Sequence, residues 1–182
     1  MLKGVSFQML LDFVDEVLKP GSLEVLLQSV SPEVRELYKA GITKSQWYPL
    51  RFFNDMEAAI INEFFDGDII YARYIARYTM SRARSDIYRL AFLSFKKPLD
   101  AVHNINKIWT LYNKPGQAVP GFSDEKAKKA TVKLVDVLHI PEMYKEHLAG
   151  WAETMLRTCG AEEAYVSWED KGSEVIFTLE WE

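Results

Sequence analysis

Cysteine is almost missing from this chain: Cys159 is the only one in 182 residues. One thiol closes no internal disulfide and builds no cysteine-rich zinc site, which fits a reducing compartment. Long apolar runs are missing too. No stretch approaches the ~18 uncharged apolar residues of a membrane-spanning helix. Near the N-terminus Asp12, Asp15 and Glu16 interrupt the apolar segment after Lys3, so no signal peptide is read there. The expected location is the cytoplasm. A bias to one charge is also lacking. The 22 Lys+Arg face 26 Asp+Glu, a net charge of −4, which gives no general pull toward nucleic acid or an anionic membrane. Catalytic signatures are absent: no Gly-x-Ser-x-Gly elbow, no phosphate loop, no paired-histidine metalloprotease motif and no dinucleotide fingerprint. The chain therefore reads as a non-enzyme. Cys159 sits near the C-terminal end of an expected helix, the wrong end of the dipole to activate a thiol, and is expected to be a small buried apolar residue.

What is present is an ordinary globular balance, 48% hydrophobic and 26% charged, at a length that suits one domain over residues 1–182. Phe7, Leu10, Leu11, Val14 and Leu18 recur at helical spacing, and Lys19-Pro20-Gly21 stops that helix. Short helices are expected over 22–29 and from Pro32 to Gly41. A further one lies within 47–65, with Leu50, Phe53, Ile60, Ile61 and Phe64 on its apolar face. A long helix is expected from Asp68 to about Phe95. Another covers 99–112, with Val102, Ile105, Ile108, Trp109 and Tyr112 on one side. After the Asn113-Lys114-Pro115-Gly116 turn the texture changes. A short strand at 117–121, a hairpin connection over 122–129 and a strand within 130–137 precede a helix from Ile140-Pro141 to Cys159-Gly160. The tail alternates cleanly. Ala164, Val166 and Trp168, then Val175, Phe177, Leu179 and Trp181, mark two strands joined at Asp170–Ser173. The fold class is α+β: a helical N-terminal two-thirds followed by a small antiparallel sheet of about four strands with one crossing helix.

Three islands stand out: LKGVSFQMLLDFVDE at 2–16, GITKSQWYPLRFFNDMEAAI at 41–60 and HLAGWAETMLRTCGAEEAYVSW at 147–168. Together they resemble an uncharacterised bacterial family, abundant in myxobacteria and other deltaproteobacteria. That family is similar to the four-vinyl-reductase domain and, more distantly, to the heme nitric-oxide/oxygen sensor domain and a Golgi-transport subunit fold. The resemblance covers nearly the whole chain. It implies the same helical half and four-stranded sheet. The four-vinyl-reductase relatives include sensors of small aromatic molecules, and dimers are common among the relatives, which leaves a homodimer open. Within the islands Gly4, Gly150 and Trp47-Tyr48-Pro49-Leu50 match the family pattern. Gly150 falls inside an expected helix, where glycine costs ~1 kcal/mol against alanine, and so signals a close approach, helix on sheet or subunit on subunit.

The candidate site residues follow from chemistry and spacing. Tyr71, Tyr74, Tyr78, Ser81, Ser85 and Tyr88 form one helical stripe. Tyrosine joins an apolar body to a polar handle, which suits an aromatic or amphiphilic ligand. The same residues also serve as plain wedges between helices. Arg73 and Arg77, four residues apart, are candidates to hold an anion or an acidic partner. His103 and Trp109 join the pocket candidates from the next helix. The heme-sensor resemblance makes His103 a candidate axial ligand, yet the Tyr-x-Ser-x-Arg clamp of those sensors is missing from 113–137. No metal site is expected: His139, Glu142 and His147 lie close in sequence, but Cys159 is more than three helical turns from His147. The hairpin cysteines that four-vinyl-reductase relatives often carry are absent from VSWEDKGSEVIFTLEW at 166–181. The expected function is a non-enzymatic regulatory or sensor-like module without a resident cofactor. It binds a small apolar or aromatic molecule, or a protein partner, between helices and sheet, and binds no nucleic acid. Two alternatives stay open: a protein-interaction subunit with a filled core, and a heme-based gas sensor built on His103.

Overall fold

A computed structural model describes residues 1–82, 95–137 and 139–182. Among them are eight helices: α1 (Gly4–Val17), α2 (Ser22–Ser29), α3 (Pro32–Ala40), α4 (Leu50–Phe64), α5 (Ile70–Arg82), α6 (Pro98–His103), α7 (Ile105–Tyr112) and α8 (Glu142–Thr158). The strands are β1 (Leu2–Lys3), β2 (Trp47–Tyr48), β3 (Gln117–Asp124), β4 (Lys129–Val135), β5 (Ala164–Asp170) and β6 (Glu174–Trp181). The architecture is α+β, with the helices mostly N-terminal. The larger sheet is antiparallel throughout, in the order β3-β4-β6-β5.

Local chemistry sets the element ends. The Ser31 hydroxyl accepts from the Val34 amide at 3.4 Å, and Pro32 opens α3 with its φ already helical. Asp66 and Gly67 both adopt positive φ and turn the chain out of α4. The alternation in the tail has its physical outcome: Ala164 and Val166, and Val175, Phe177, Leu179 and Trp181, are buried. Together with Ala130, Val132 and Leu134 they form the inner face of the sheet. α8 packs over β5 and β6, and α7 packs over β3.

Several boundaries differ from the sequence expectation. The helix expected over 99–112 is two helices. Asn104 separates them, its side-chain amide bonded to the Asp100 carbonyl at 2.9 Å, a local bond that competes with the backbone ladder. β3 runs on to Asp124, taking in residues expected in the connection, and its register shifts between Pro120 and Ser123. A proline is tolerated there because β3 is an edge strand. The two-residue pair β1–β2 had no periodic signal to show it; Leu2 faces Tyr48 and Lys3 faces Trp47. The long helix expected over 68–95 is described as Ile70–Arg82, and its remainder through residue 94 lies outside the described residues.

Both family-like glycines mark close approaches. A Cβ on Gly4 would come within 2.8 Å of the Tyr48 ring. One on Gly150 would collide with the carbonyl group of Arg73, 2.9 Å from its carbon. The approach at Gly150 is thus helix on helix, α8 against α5, and not helix on sheet.

Candidate functional site

Helix α8 carries two stripes at helical spacing. Glu146, Gly150 and Glu153 lie along one, and Tyr144, His147, Leu148 and Trp151 along the other. The first stripe is tied down by charge. Arg73 of α5 donates to Glu146 at 2.8 Å and to Glu153 at 3.1 Å, and Arg77 donates to Glu153 at 2.6 Å. Glu153, only 1% exposed, also accepts from the Val166 amide of β5 at 3.2 Å. Glu146 accepts from the Trp168 indole at 2.7 Å. These two carboxylates join α5, α8 and the edge strand β5, and Glu153 takes up a backbone amide that a free sheet edge would present. Next to them Lys145, buried, pairs with Asp170 and lies over the Trp168 ring. The bond from Lys145 holds the Asp170 carboxyl below the usual carboxylate range, with the Gly172 amide adding to the effect.

The second stripe faces small cavities. One, of about 50 Å³, is lined by Leu2, Ile108, Tyr112, Tyr144, His147 and Trp151 among others. A second of about 50 Å³ lies between α7, α8 and the sheet, against Trp109, Val132, Leu134, Trp151, Ala152 and Phe177. A third of about 20 Å³ reaches Phe53, Met80, His147 and Trp151. Trp151, part-buried, lines all three. The ring of Tyr112 meets it edge-on at 5.9 Å.

His147 is the polar element of this apolar surround. Its Nδ1 lies 2.6 Å from Oε1 of Glu57, which is fully buried on α4. The ring stacks on Tyr144 with 5.7 Å between centroids and meets Phe53 edge-on at 5.1 Å. Glu57 Oε2 and Asn54 Oδ1 are buried without a hydrogen-bond partner among the described residues. Burial, with Glu57 nearby, drives the Tyr144 hydroxyl far above the ordinary phenol range. It stays protonated and donates to Asn113 at 3.0 Å. Burial also pushes the Cys159 thiol up to about 11, with Asp100 contributing, so its thiolate is scarce at neutral pH.

The residues singled out in the sequence are dispersed. Trp109 is buried, lines two of these cavities and donates to the Gly116 carbonyl at 3.1 Å. His103 is exposed at the end of α6. Tyr71 and Tyr74 are exposed; Tyr71 stacks on Phe65 at 4.3 Å, and Tyr74 meets Phe13. Tyr78 is part-buried and donates to Glu16 at 2.8 Å, while Ser81 is exposed and donates to the Tyr78 carbonyl. The tyrosine stripe thus lies along α5 where it meets α1 and solvent, away from the Trp151 cavities. The physical reason is that Ala72, Ile75 and Ala76 take the buried face of α5. Arg73 and Arg77 meet their anions within the chain, at Glu146 and Glu153. Tyr88 and Ser85 fall outside the described residues. The residues that sequence reasoning missed are Glu57, His147 and Trp151. A signal existed for each: Glu57 is a carboxylate on the apolar stripe of Phe53, Ile60 and Ile61, and His147 and Trp151 share a helix face with Tyr144.

No protein-family model matches the chain, and no curated protein sequence matches it. Solved structures do. The Fe(II) unliganded H-NOX protein from K. algicida superposes with a TM-score of 0.72 at 15% identity, covering 99% of this chain and 96% of that one. An oxygen-binding H-NOX domain related to soluble guanylate cyclases gives 0.68 at 10% identity, covering 99% and 95%. A structure addressing the mechanism of H-NOX activation gives 0.69 at 10% identity, covering 100% and 97%. At these identities the likeness is one of fold: the chain has the fold of the heme nitric-oxide/oxygen sensor domains. Among the described residues no helix is long and apolar enough to cross a membrane.

The fold raises the question of heme. Sites for molecules of drug size or larger enclose ~300–1,000 Å³, whereas the cavities around Trp151 measure about 50, 50 and 20 Å³. His103 faces solvent, and the Nδ1 of the part-buried His147 is engaged by Glu57. The described residues in this arrangement do not fit a porphyrin.

Proposed function

We propose that the chain is a non-enzymatic, sensor-like module, one domain over residues 1–182, that binds a small apolar or aromatic molecule between its helical half and its sheet. One observation carries this reading. Three small cavities lined largely by apolar and aromatic side chains border Trp151, the part-buried His147 standing in the wall of two of them and the other lying between α7, α8 and the sheet. The sensor fold of the H-NOX neighbours supports the same reading, as do the aromatic-sensing relatives implied by the resemblance. The test is a melting experiment on the full chain against a panel of small aromatic and aliphatic molecules. A ligand held in the native state raises stability by about 2.7 kcal/mol at a hundredfold excess over its Kd. A dose-dependent rise in Tm is the expected result. A flat response across the panel sinks the reading.

The smallness of the cavities favours a second reading, a protein-interaction subunit whose core is filled. That reading gives a flat melting panel together with a stable partner recovered from the native source. A heme sensor instead gives a Soret band on hemin addition that His103→Ala removes; on the geometry above, no such band is expected.

A further inference from the structure

Large apolar side chains at the surface cluster where the chain turns from α4 into α5. Among the described residues Ile69, Ile70, Tyr71 and Tyr74 are 38–48% exposed. Single exposed apolar residues are ordinary, whereas a contiguous patch rimmed by polar groups marks a contact surface. This patch is continuous. Tyr71 stacks on Phe65 at 4.3 Å and meets Tyr74 edge-on at 6.5 Å. Phe65 and Tyr74 both lie against the Phe13 ring of α1, at 6.4 and 6.2 Å. Phe13 is fully buried, so the outer rings have a fixed floor. Tyr78, next along the stripe, meets Phe13 at 5.4 Å and donates to Glu16. The surface is thus held in shape before anything binds, which lowers the ordering cost of a contact. Tyrosine is also enriched at protein interfaces, where it joins apolar area to a polar tip.

The rim carries one sign of charge. Asp12, Asp15 and Glu16 are exposed on α1, and Asp66 and Asp68 are exposed in the turn beside Phe65. None of these four aspartates forms a salt bridge among the described residues. Partial burial raises the Asp12 carboxyl above the usual carboxylate range, and the charges of Glu16 and Asp15 add to this against the pull of Lys44. The arginines of α5 do not offset the rim, since Arg73 and Arg77 turn to Glu146 and Glu153 on α8.

We propose that this face of α1 and α5 docks a segment of a partner protein that is apolar on one side and carries lysine or arginine on its flanks. The apolar side chains of that segment lie on Tyr71 and Tyr74, and its cations reach Asp12 and Asp66. Complementary charge steers the encounter and fixes the register, and cations gain further from the faces of the tyrosine rings. A second copy of the chain, at net charge −4, brings an excess of the same sign, as does an anionic membrane. The surface is separate from the Trp151 cavities, so the proposal holds or fails whatever those cavities bind.

The test uses the isotope-labelled full chain and two synthetic amphipathic peptides with the same leucine stripe. One peptide carries lysine at its polar positions and the other glutamate. The lysine peptide is expected to move the NMR signals of residues 65–78 and to bind more weakly as salt rises. The glutamate peptide is expected not to bind. Tyr71→Ser combined with Tyr74→Ser should weaken the lysine peptide by about tenfold or more. Asp12→Asn combined with Asp66→Asn should weaken it about two- to fivefold per charge and flatten the salt dependence. This second pair leaves the rings in place and keeps the proposal falsifiable should the serine pair fail to fold. No binding of the lysine peptide, equal affinity for the two peptides, or signals that move only elsewhere on the chain would overturn the proposal. Unchanged affinity in the variants would do the same. Sedimentation of the chain alone tests the other occupants. A dimer that the serine pair abolishes would give the face to a second copy, and cosedimentation with phosphatidylglycerol vesicles that the serine pair abolishes would give it to a membrane. Either result would overturn the proposal.

Discussion

Helix α8 has two flanks that hold their neighbours by different physics. Toward α5 and β5, Glu146 and Glu153 collect hydrogen bonds from Arg73, Arg77, Trp168 and the Val166 amide, and Gly150 brings two backbones into direct contact. Toward α7 and the inner sheet, Leu148, Trp151 and Ala152 meet apolar partners across voids. The first flank is directional and close-fitting. A shift of α8 there would break several charge-assisted bonds at once. The second is non-directional and incompletely filled, so its side chains can be rearranged at low cost. A helix fixed on one side and adaptable on the other is a sound support for a ligand site, because a rearrangement on the loose flank leaves the fold intact.

The largest effect should come from the charged flank. Glu153→Ala leaves Arg73 with Glu146 alone, takes the carboxylate from Arg77 and the acceptor from the Val166 amide, and is expected to lower unfolding free energy by about 3 kcal/mol. Urea denaturation measures this. A loss below half of that would mean that Glu146 takes over the arginines and that the flank is less directional than drawn. Gly150→Ala comes next. Alanine gains helix propensity, but its methyl group meets the Arg73 carbonyl, and the helices must separate at a net cost of about 1–3 kcal/mol. An unchanged or raised Tm would show that α5 and α8 can part freely, and the contrast between the flanks would fail.

Acid should loosen the same flank more gently. The folded Asp170 carboxyl is held below its unfolded value, so its contribution is complete above the unfolded value near ~3.9 and is lost as pH falls through the depressed folded value. Losing that charge leaves the buried Lys145 with the Trp168 ring alone. Tm followed from neutral pH downward should therefore fall in strong acid, and Asp170→Asn should flatten that part of the slope. Identical slopes in the two proteins would assign the acid sensitivity to other carboxylates.

The smallest effect belongs to the loose flank. Ala152→Leu adds three carbons only two residues from Gly150, but they point into a cavity of about 50 Å³. Stability should stay within about 1 kcal/mol of the native chain, or rise, as cavity-filling changes often do. A loss as large as that of Gly150→Ala would erase the difference between the flanks.

How much of this could be read in advance depends on the range of the signal. The β5–β6 hairpin was legible because apolar alternation is local and its turn residues sit between the runs. The helical stripe of Ile105, Ile108, Trp109 and Tyr112 was legible for the same reason, and Trp109 was correctly taken toward the interior. The break at Asn104 was not, since it turns on one side-chain bond. The tyrosines of α5 looked like a pocket because spacing shows which residues share a face without showing what that face meets. Gly150 announced a close approach through its cost in a helix, yet gave no partner.

The sequence by itself determined the fold class, the sheet hairpin and the apolar faces of α4 and α7, because period-2 and period-3.6 patterns are set by backbone geometry and need only near neighbours. The tertiary structure alone decided which faces meet. Glu57 and His147 stand ninety residues apart, and Arg73 and Glu153 eighty. No local rule pairs such residues, since their encounter depends on how every intervening element packs. The fixed and adaptable flanks of α8 exist only once that packing is complete.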